Sequence, residues 1–329
     1  MLFSEFIGQE EIKKYLIKSI QHNNVSHGYI FEGKDGIGKF DMATLFAKSL
    51  LCKNFNGEPC DKCSSCIKVN TSNHPDIHVF TPLEKNIKRE DVDEIIESIN
   101  IKPYESDKKI YIIKNSDRMT LQAANTFLKT LEEPVGNRVI ILLTENSNLL
   151  LPTIYSRCQI ITFKYIEKEK LSRYIREKYN LDKNKANLIA YYSKGVLKKA
   201  ENIASGTDDI LQKRLEVFNI FDKTVTLDKN VLFNYEDYFE QNKDNIDEIV
   251  DILIILLRDI YFKKYQLDEL IINSDCMELL NLYTTKLNTC EIEKIVLYLQ
   301  STRVDVNNNI NYKLIIDNML LKLQKGVNL

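Results

Sequence analysis

Ile30-Phe31-Glu32-Gly33-Lys34-Asp35-Gly36-Ile37-Gly38-Lys39-Phe40 runs from an apolar stretch through a glycine-rich turn into a helical pattern. Gly33, Gly38 and Lys39 stand at the G-x-x-x-x-G-K spacing of a phosphate loop, with Gly36 inside the same turn. In such a loop glycines let backbone N–H groups curl around a polyphosphate, and the lysine adds a point charge. A hydrolysing loop then places a Ser or Thr hydroxyl on Mg²⁺. Here that position is Phe40, whose ring cannot ligate a metal. The stretch therefore points to a nucleotide-binding fold more than to nucleotide hydrolysis. Taken alone, three glycines before a helix also suit an ordinary strand-to-helix turn; the apolar run before them and the helical spacing after them favour the phosphate loop.

Around this centre, helical spacing covers residues 9 to 22 (Ile12, Leu16, Ile17, Ile20), and a second helix is expected from about Phe40 to Leu51, with Met42, Leu45, Phe46 and Leu50 inward. Strands are expected at Tyr29–Phe31, Ile77–Phe80, Lys109–Ile113, Val139–Leu143 and Gln159–Phe163, separated by helices at Asp91–Ile99 and Leu121–Glu132. Glu133-Pro134 is the expected stop of the latter. Strands alternating with helices at this spacing imply a parallel α/β sheet whose ligands sit at the carboxyl ends of its strands. Lys114-Asn115 follows the core strand, where a phosphate-loop ATPase keeps the acidic pair that holds Mg²⁺ and orients water. A second part of the hydrolytic machinery is thus absent. Beyond about residue 164 strand signals fade, and no repeat or low-complexity linker interrupts the helical patterns.

Cys52 and Cys60-Asp61-Lys62-Cys63-Ser64-Ser65-Cys66 bring four cysteines together in a segment with little apolar residue to bury. Overlapping C-x-x-C steps suit a structural Zn²⁺, which takes four thiolates in a tetrahedron; free or buried thiols are the plainer reading. His74 and His78 are expected at a turn and a strand end, because the cysteines already fill four positions. At 329 residues two or three domains are expected. A formal net charge of −2 argues against a globally basic nucleic-acid binder. The first residues have no basic segment followed by an apolar one, and the longest apolar run, Ile252 to Leu257, is far too short to span a bilayer. A cytoplasmic protein with no membrane role is expected.

Taken in order, Phe6-Ile7-Gly8-Gln9, Ser26-His27-Gly28-Tyr29-Ile30-Phe31, the phosphate loop, the four-cysteine insertion, His74-Pro75-Asp76, Asn125 to Pro134 and Ser156-Arg157-Cys158 resemble the AAA+ clamp-loader family. The resemblance is close over residues 3 to 163 and weaker beyond. It implies an AAA+ phosphate-loop domain with a zinc-binding insertion (1–163, zinc module 52–66), a small helical lid domain (164–207) and an all-helical collar domain (208–329) through which subunits form a ring. It also implies zinc held by Cys52, Cys60, Cys63 and Cys66. The degenerate nucleotide site would comprise Gly33, Gly36, Gly38, Lys39 and Thr144 at the first domain's sensor position, with retention of ATP or ADP left open. Ser193-Lys194-Gly195 resembles the second domain's sensor region, with Lys198 or Lys199 as its basic residue. Arg157, expected near the carboxyl edge of the sheet, would be an arginine finger reaching a neighbouring subunit's ATP; a local salt bridge is its plainer role.

Phe40 and Lys114-Asn115 favour a non-hydrolysing scaffold over the motor. Expected partners are the tau/gamma and delta clamp-loader subunits and, through the assembly, the sliding clamp and primed DNA. The competing functions are an ATP-hydrolysing motor of tau/gamma type or related remodeller, and a zinc-bearing DNA-binding module. Against the last, Lys53, Lys62 and Lys68 in the cysteine segment are offset by Glu58 and Asp61.

Overall fold

The computed structural model describes residues 1–132, 136–226, 235–307 and 311–327. The expected helix stop at Glu133 and Pro134 lies outside the described residues. Two compact units divide the chain: Met1–Tyr174 with Ser193–Glu201, and Ile175–Tyr192 with Asn202–Leu329. Residues 164–207 are thereby shared between the two.

In the first unit the order is α1 (Glu10–Gln21), β1 (Gly28–Glu32), α2 (Lys39–Leu51), α3 (Ser64–Asn70), β2 (Ile77–Phe80), α4 (Arg89–Asn100), β3 (Lys109–Ile113), α5 (Leu121–Glu132), β4 (Arg138–Thr144), α6 (Pro152–Tyr155) and β5 (Gln159–Thr162). The five apolar runs expected as strands form one sheet in the order β2-β3-β4-β1-β5. All of its pairings are parallel, as the intervening helices require. Because side chains alternate across a strand, each face collects its own core. Tyr29, Phe31, Ile110, Ile112, Ile141 and Leu143 pack with Leu16 of α1 and with Met42, Leu45 and Phe46 of α2. On the other face Ile30, Tyr111, Ile113, Ile140 and Leu142 meet Val92 and Ile95 of α4 and Ala124, Phe127 and Leu131 of α5. Burial on both faces explains why these strands read as continuous apolar runs.

After β5 the chain is helical: α7 (Lys168–Tyr179), α8 (Lys183–Tyr192), α9 (Leu197–Ser205), α10 (Ile210–Thr226), α11 (Glu236–Gln241), α12 (Ile246–Lys264), α13 (Met277–Lys286), α14 (Thr289–Asn307) and α15 (Tyr312–Val327). In the second unit α12 is the central rod, with Ile249, Val250, Leu253, Leu256, Leu257 and Ile260 buried. The one polar side chain among the buried residues of α12 is Asp259, which accepts from the backbone N–H groups of Ile272 and Asn273 at 3.1 and 2.8 Å. Asn273 in turn accepts from Arg214, which is also ion-paired with Asp275.

Candidate functional site: a phosphate loop without its metal ligands

The loop of residues 33 to 38 leaves the carboxyl end of β1 and enters α2, as its spacing predicts. Gly36 and Gly38 have φ of 75° and 101°, left-handed values that disfavour a side chain. Close approach excludes one too: a Cβ on Gly38 would lie 2.8 Å from the Phe6 ring, and one on Gly33 would lie 2.9 Å from Phe163. Phe6 of the Phe6-Ile7-Gly8-Gln9 stretch therefore packs under the loop. The Gln9 amide completes that support, donating to the Lys164 carbonyl at 2.5 Å and accepting from the Lys164 N–H at 3.1 Å.

Lys39 is buried, and its ammonium donates to the carbonyls of Gly33 and Lys34, the latter at 3.0 Å. Burial pulls its pKa below the ordinary value, opposed by the charges of Asp35, Glu145 and Asp117. Thr144 ends β4 fully buried; its hydroxyl donates to Asp117 at 3.1 Å and accepts from the Asn146 N–H at 3.1 Å. It thus ties the ends of β3 and β4 to one turn. From the segment after residue 192, the Lys198 N–H donates to the Gly36 carbonyl at 3.0 Å, and its side chain lies against Gly36. Of the two lysines the sensor region offered, Lys198 stands at the loop. Phe40 is half-buried against the α2 side of the core, and Lys114 Nζ lies 3.9 Å from the centre of its ring.

The cysteines converge as well. Cys52 follows α2, Cys60 and Cys63 lie on the turns before α3, and Cys66 lies in its first turn. All four are free, with their sulfurs within 4.8 Å of one another. Four thiolates around a tetrahedral ion with ~2.3 Å bonds need separations of about 3.8 Å, so small side-chain adjustments suffice. Backbone N–H groups already point at the sulfurs: Cys60 to Cys52 Sγ at 3.2 Å, Cys63 to Cys60 Sγ at 3.4 Å and Cys66 to Cys63 Sγ at 3.5 Å. The amides of Lys62 and Cys63 bring the Cys60 thiol down to about 6, whereas burial pushes Cys66 up. The set can hold a metal ion. Among the described residues no other group of three or more such donors comes together.

Sequence reasoning missed what anchors this knuckle. Glu58 accepts from the backbone N–H groups of Phe3 and Ser4 at 2.7 and 2.8 Å, and buried Lys48 of α2 pairs with Asp61 while donating to Asn70 at 2.9 Å. The one signal was a lysine on the apolar side of α2. The histidines behave as expected: His74 Nδ1 accepts from the Asp76 N–H at 3.2 Å, and His78 stacks on Tyr111.

Arg157 is not at the carboxyl edge of the sheet. It precedes β5, whose first residue pairs with Tyr29 near the start of β1, and its carbonyl would lie 3.7 Å from a Cβ on Gly28. In a parallel sheet the residue before any strand stands at the amino edge, opposite the phosphate loop. There Arg157 bonds Glu132 at 2.8 Å and the Thr153 carbonyl at 2.9 Å, and it remains partly exposed. Its neighbour Cys158 has a thiol pushed up to about 12 by burial.

Among known families, residues 8–167 match the model described as DNA polymerase III, delta subunit. Residues 208–325 match that described as DNA polymerase III, delta subunit, C terminal. The chain is 29% identical to DNA polymerase III subunit delta' of Bacillus subtilis (strain 168), over 97% of each. It is 27% identical to the delta' subunit of Haemophilus influenzae, over 74% of this chain and 72% of that one. Its similarity to the gamma/tau subunit of Mycoplasma pneumoniae, 34% identical, covers 53% of this chain and 26% of that one.

Proposed function

Because the chain belongs to the DNA polymerase III clamp-loader family, with the delta-prime subunits, we propose that it is the non-hydrolysing scaffold of that assembly and lends Arg157 to a neighbouring subunit's ATP site. It supports ATP-driven loading of the sliding clamp onto primed DNA during DNA replication, in complex with tau/gamma and delta subunits. Residues 164–207 serve as the lid and 208–329 as the collar through which it joins the ring.

The observation that carries this reading is the separation of the two halves of its ATP chemistry. The phosphate loop is at one edge of the sheet and Arg157 at the other, with β1 between them. Five residues at about 3.3 Å each put the edges roughly 15 Å apart, beyond the reach of an arginine side chain. Arg157 is therefore unable to serve this chain's own loop. A planar guanidinium that stays charged suits a role in trans, because it engages two phosphoryl oxygens at once. Such fingers contribute about 10³–10⁵ in rate. The Glu132 pairing holds the side chain locally until a neighbour supplies phosphate.

The four cysteines take a structural zinc ion, the thiolate-rich choice for a closed tetrahedral set. Zinc would fix the 52–66 knuckle and, through Glu58, the N-terminal turn. Size-exclusion of this chain with the tau/gamma and delta subunits of the same cell tests the reading. Co-elution as one species is expected; independent elution at micromolar concentrations, with and without ATP, would overturn it.

A further inference from the structure

Phe40 and Lys114, the two positions at which the sequence departs from a hydrolysing phosphate loop, are distant in the chain and touch in the fold. Phe40 opens α2 directly after Lys39, Lys114 leaves the end of β3, and the ammonium of one lies 3.9 Å from the ring centre of the other. In hydrolysing loops these places hold a hydroxyl and a carboxylate that share one Mg²⁺ ion. Here a cation on an aromatic face stands in place of those two oxygen ligands, a contact favourable in its own right.

Mg²⁺ does not fit this arrangement. It demands near-octahedral oxygen at about 2.0–2.1 Å, and an aromatic ring offers none while an ammonium repels a dication. Of the carboxylates near the loop, Asp117 accepts from Thr144, Glu145 pairs with Lys34 at 3.2 Å, Asp35 acts on Lys39, and Asp41 lies in the field of Lys198 and Lys114. Nor do three donor side chains gather at the loop among the described residues. Phe40 is held by packing against the core, so its ring is a fixed platform for the lysine.

We propose that the Phe40–Lys114 pair is a specificity determinant that closes this loop to metal-bound nucleotide, with the Lys114 ammonium as a built-in cation where other phosphate loops recruit Mg²⁺. The proposal deepens the non-hydrolysing reading and rests on it. It makes the two residues one unit. Phe40→Thr alone leaves the repelling ammonium, and Lys114→Asp alone leaves a ring where a ligand is needed, so only the double variant rebuilds a metal site.

The test titrates the full chain with a fluorescent ADP analogue in Mg²⁺ and in EDTA. Wild type and Phe40→Thr, which both keep the ammonium, should bind no more tightly with Mg²⁺ than without it, whereas Lys114→Asp should gain only the few-fold that removing the charge gives. Phe40→Thr/Lys114→Asp should bind at least tenfold more tightly with Mg²⁺. Lys114→Met, which removes the charge and keeps the bulk, guards against misfolding of the double variant: its affinity in Mg²⁺ relative to EDTA should rise at least threefold over wild type. Tightening of wild type by Mg²⁺ of tenfold or more overturns the proposal. So does a folded double variant with no gain, or, if that variant does not fold, a Lys114→Met ratio equal to wild type. Steady-state ATP turnover by wild type would instead refute the non-hydrolysing reading, which separates the two failures.

Discussion

Asp76 is fully buried in the turn that leads into β2, and its carboxylate accepts three backbone N–H groups from the segment before β3: Tyr104 at 2.5 Å, Glu105 at 3.1 Å and Ser106 at 2.9 Å. Its carbonyl also accepts from Ile110 at 2.8 Å, so this residue fixes how β3, the strand that ends in Lys114, enters the sheet. Asp76→Asn keeps the shape and the oxygen facing Tyr104, but turns an NH₂ donor toward the other two amides. Each lost partner costs about 1–3 kcal/mol. Since the 104–106 segment lies near solvent, the lower end applies, for a total of about 2–3 kcal/mol. For a unit of this size that is roughly a 5–10 °C drop in the α/β transition. The pH dependence follows from the same bonds. Burial alone would raise the Asp76 pKa, but the three amides outweigh it and hold the carboxyl below the ordinary 3.8. A depressed folded pKa contributes stability that is complete above the unfolded value and is lost as pH falls through the folded one. The wild-type advantage over Asp76→Asn should therefore be constant from about pH 8 to 5 and shrink below about pH 4. Urea denaturation of both proteins across that range measures it. A gap under about 1 kcal/mol at neutral pH, or one that does not narrow in acid, would refute the reasoning.

Protein purified under reducing conditions should carry one zinc ion, and Cys63→Ser should lose it, as read by metal analysis. Stripping the metal should raise hydrogen exchange in residues 52–66 and in Phe3 and Ser4, whose amides depend on Glu58, while β1, β3 and β4 stay protected by their own core; uniform loss of protection would contradict this. The chain alone should show no ATP turnover above background, and Lys39→Ala should change nothing in a steady-state phosphate-release assay. Turnover abolished by that substitution would mean that a metal site exists.

Much of this was legible because the informative residues are chemically narrow. The β-branched runs of β3 and β4 have one comfortable fate, and the glycine and cysteine spacings are demanded by backbone conformation and by tetrahedral thiolates. What escaped were relations between distant residues. Lys48 and Glu58 look like surface charges until α3 and the N-terminal turn fold over them. In the sequence Phe40 and Lys114 each stand for a missing ligand; that they contact each other follows only from β3 lying near the loop. The edge on which Arg157 sits differs from the expected one, and chain direction decides it: in a parallel sheet, Ser156-Arg157-Cys158 before β5 must stand at the amino side.

The ATPase of the reconstituted loader, with wild-type or Arg157→Ala chain at matched assembly, bears most directly on the functional account. Arg157 lies partly exposed at the edge far from this chain's own loop, and its side-chain bonds are to Glu132, Thr153 and Ser156 at that surface. The substitution should leave assembly intact and lower the DNA- and clamp-stimulated rate, incompletely, because a single ATP site would border this subunit. Equal ATPase and equal clamp loading by the two assemblies would contradict a finger in trans and leave Arg157 as a structural residue at the end of α5 and α6.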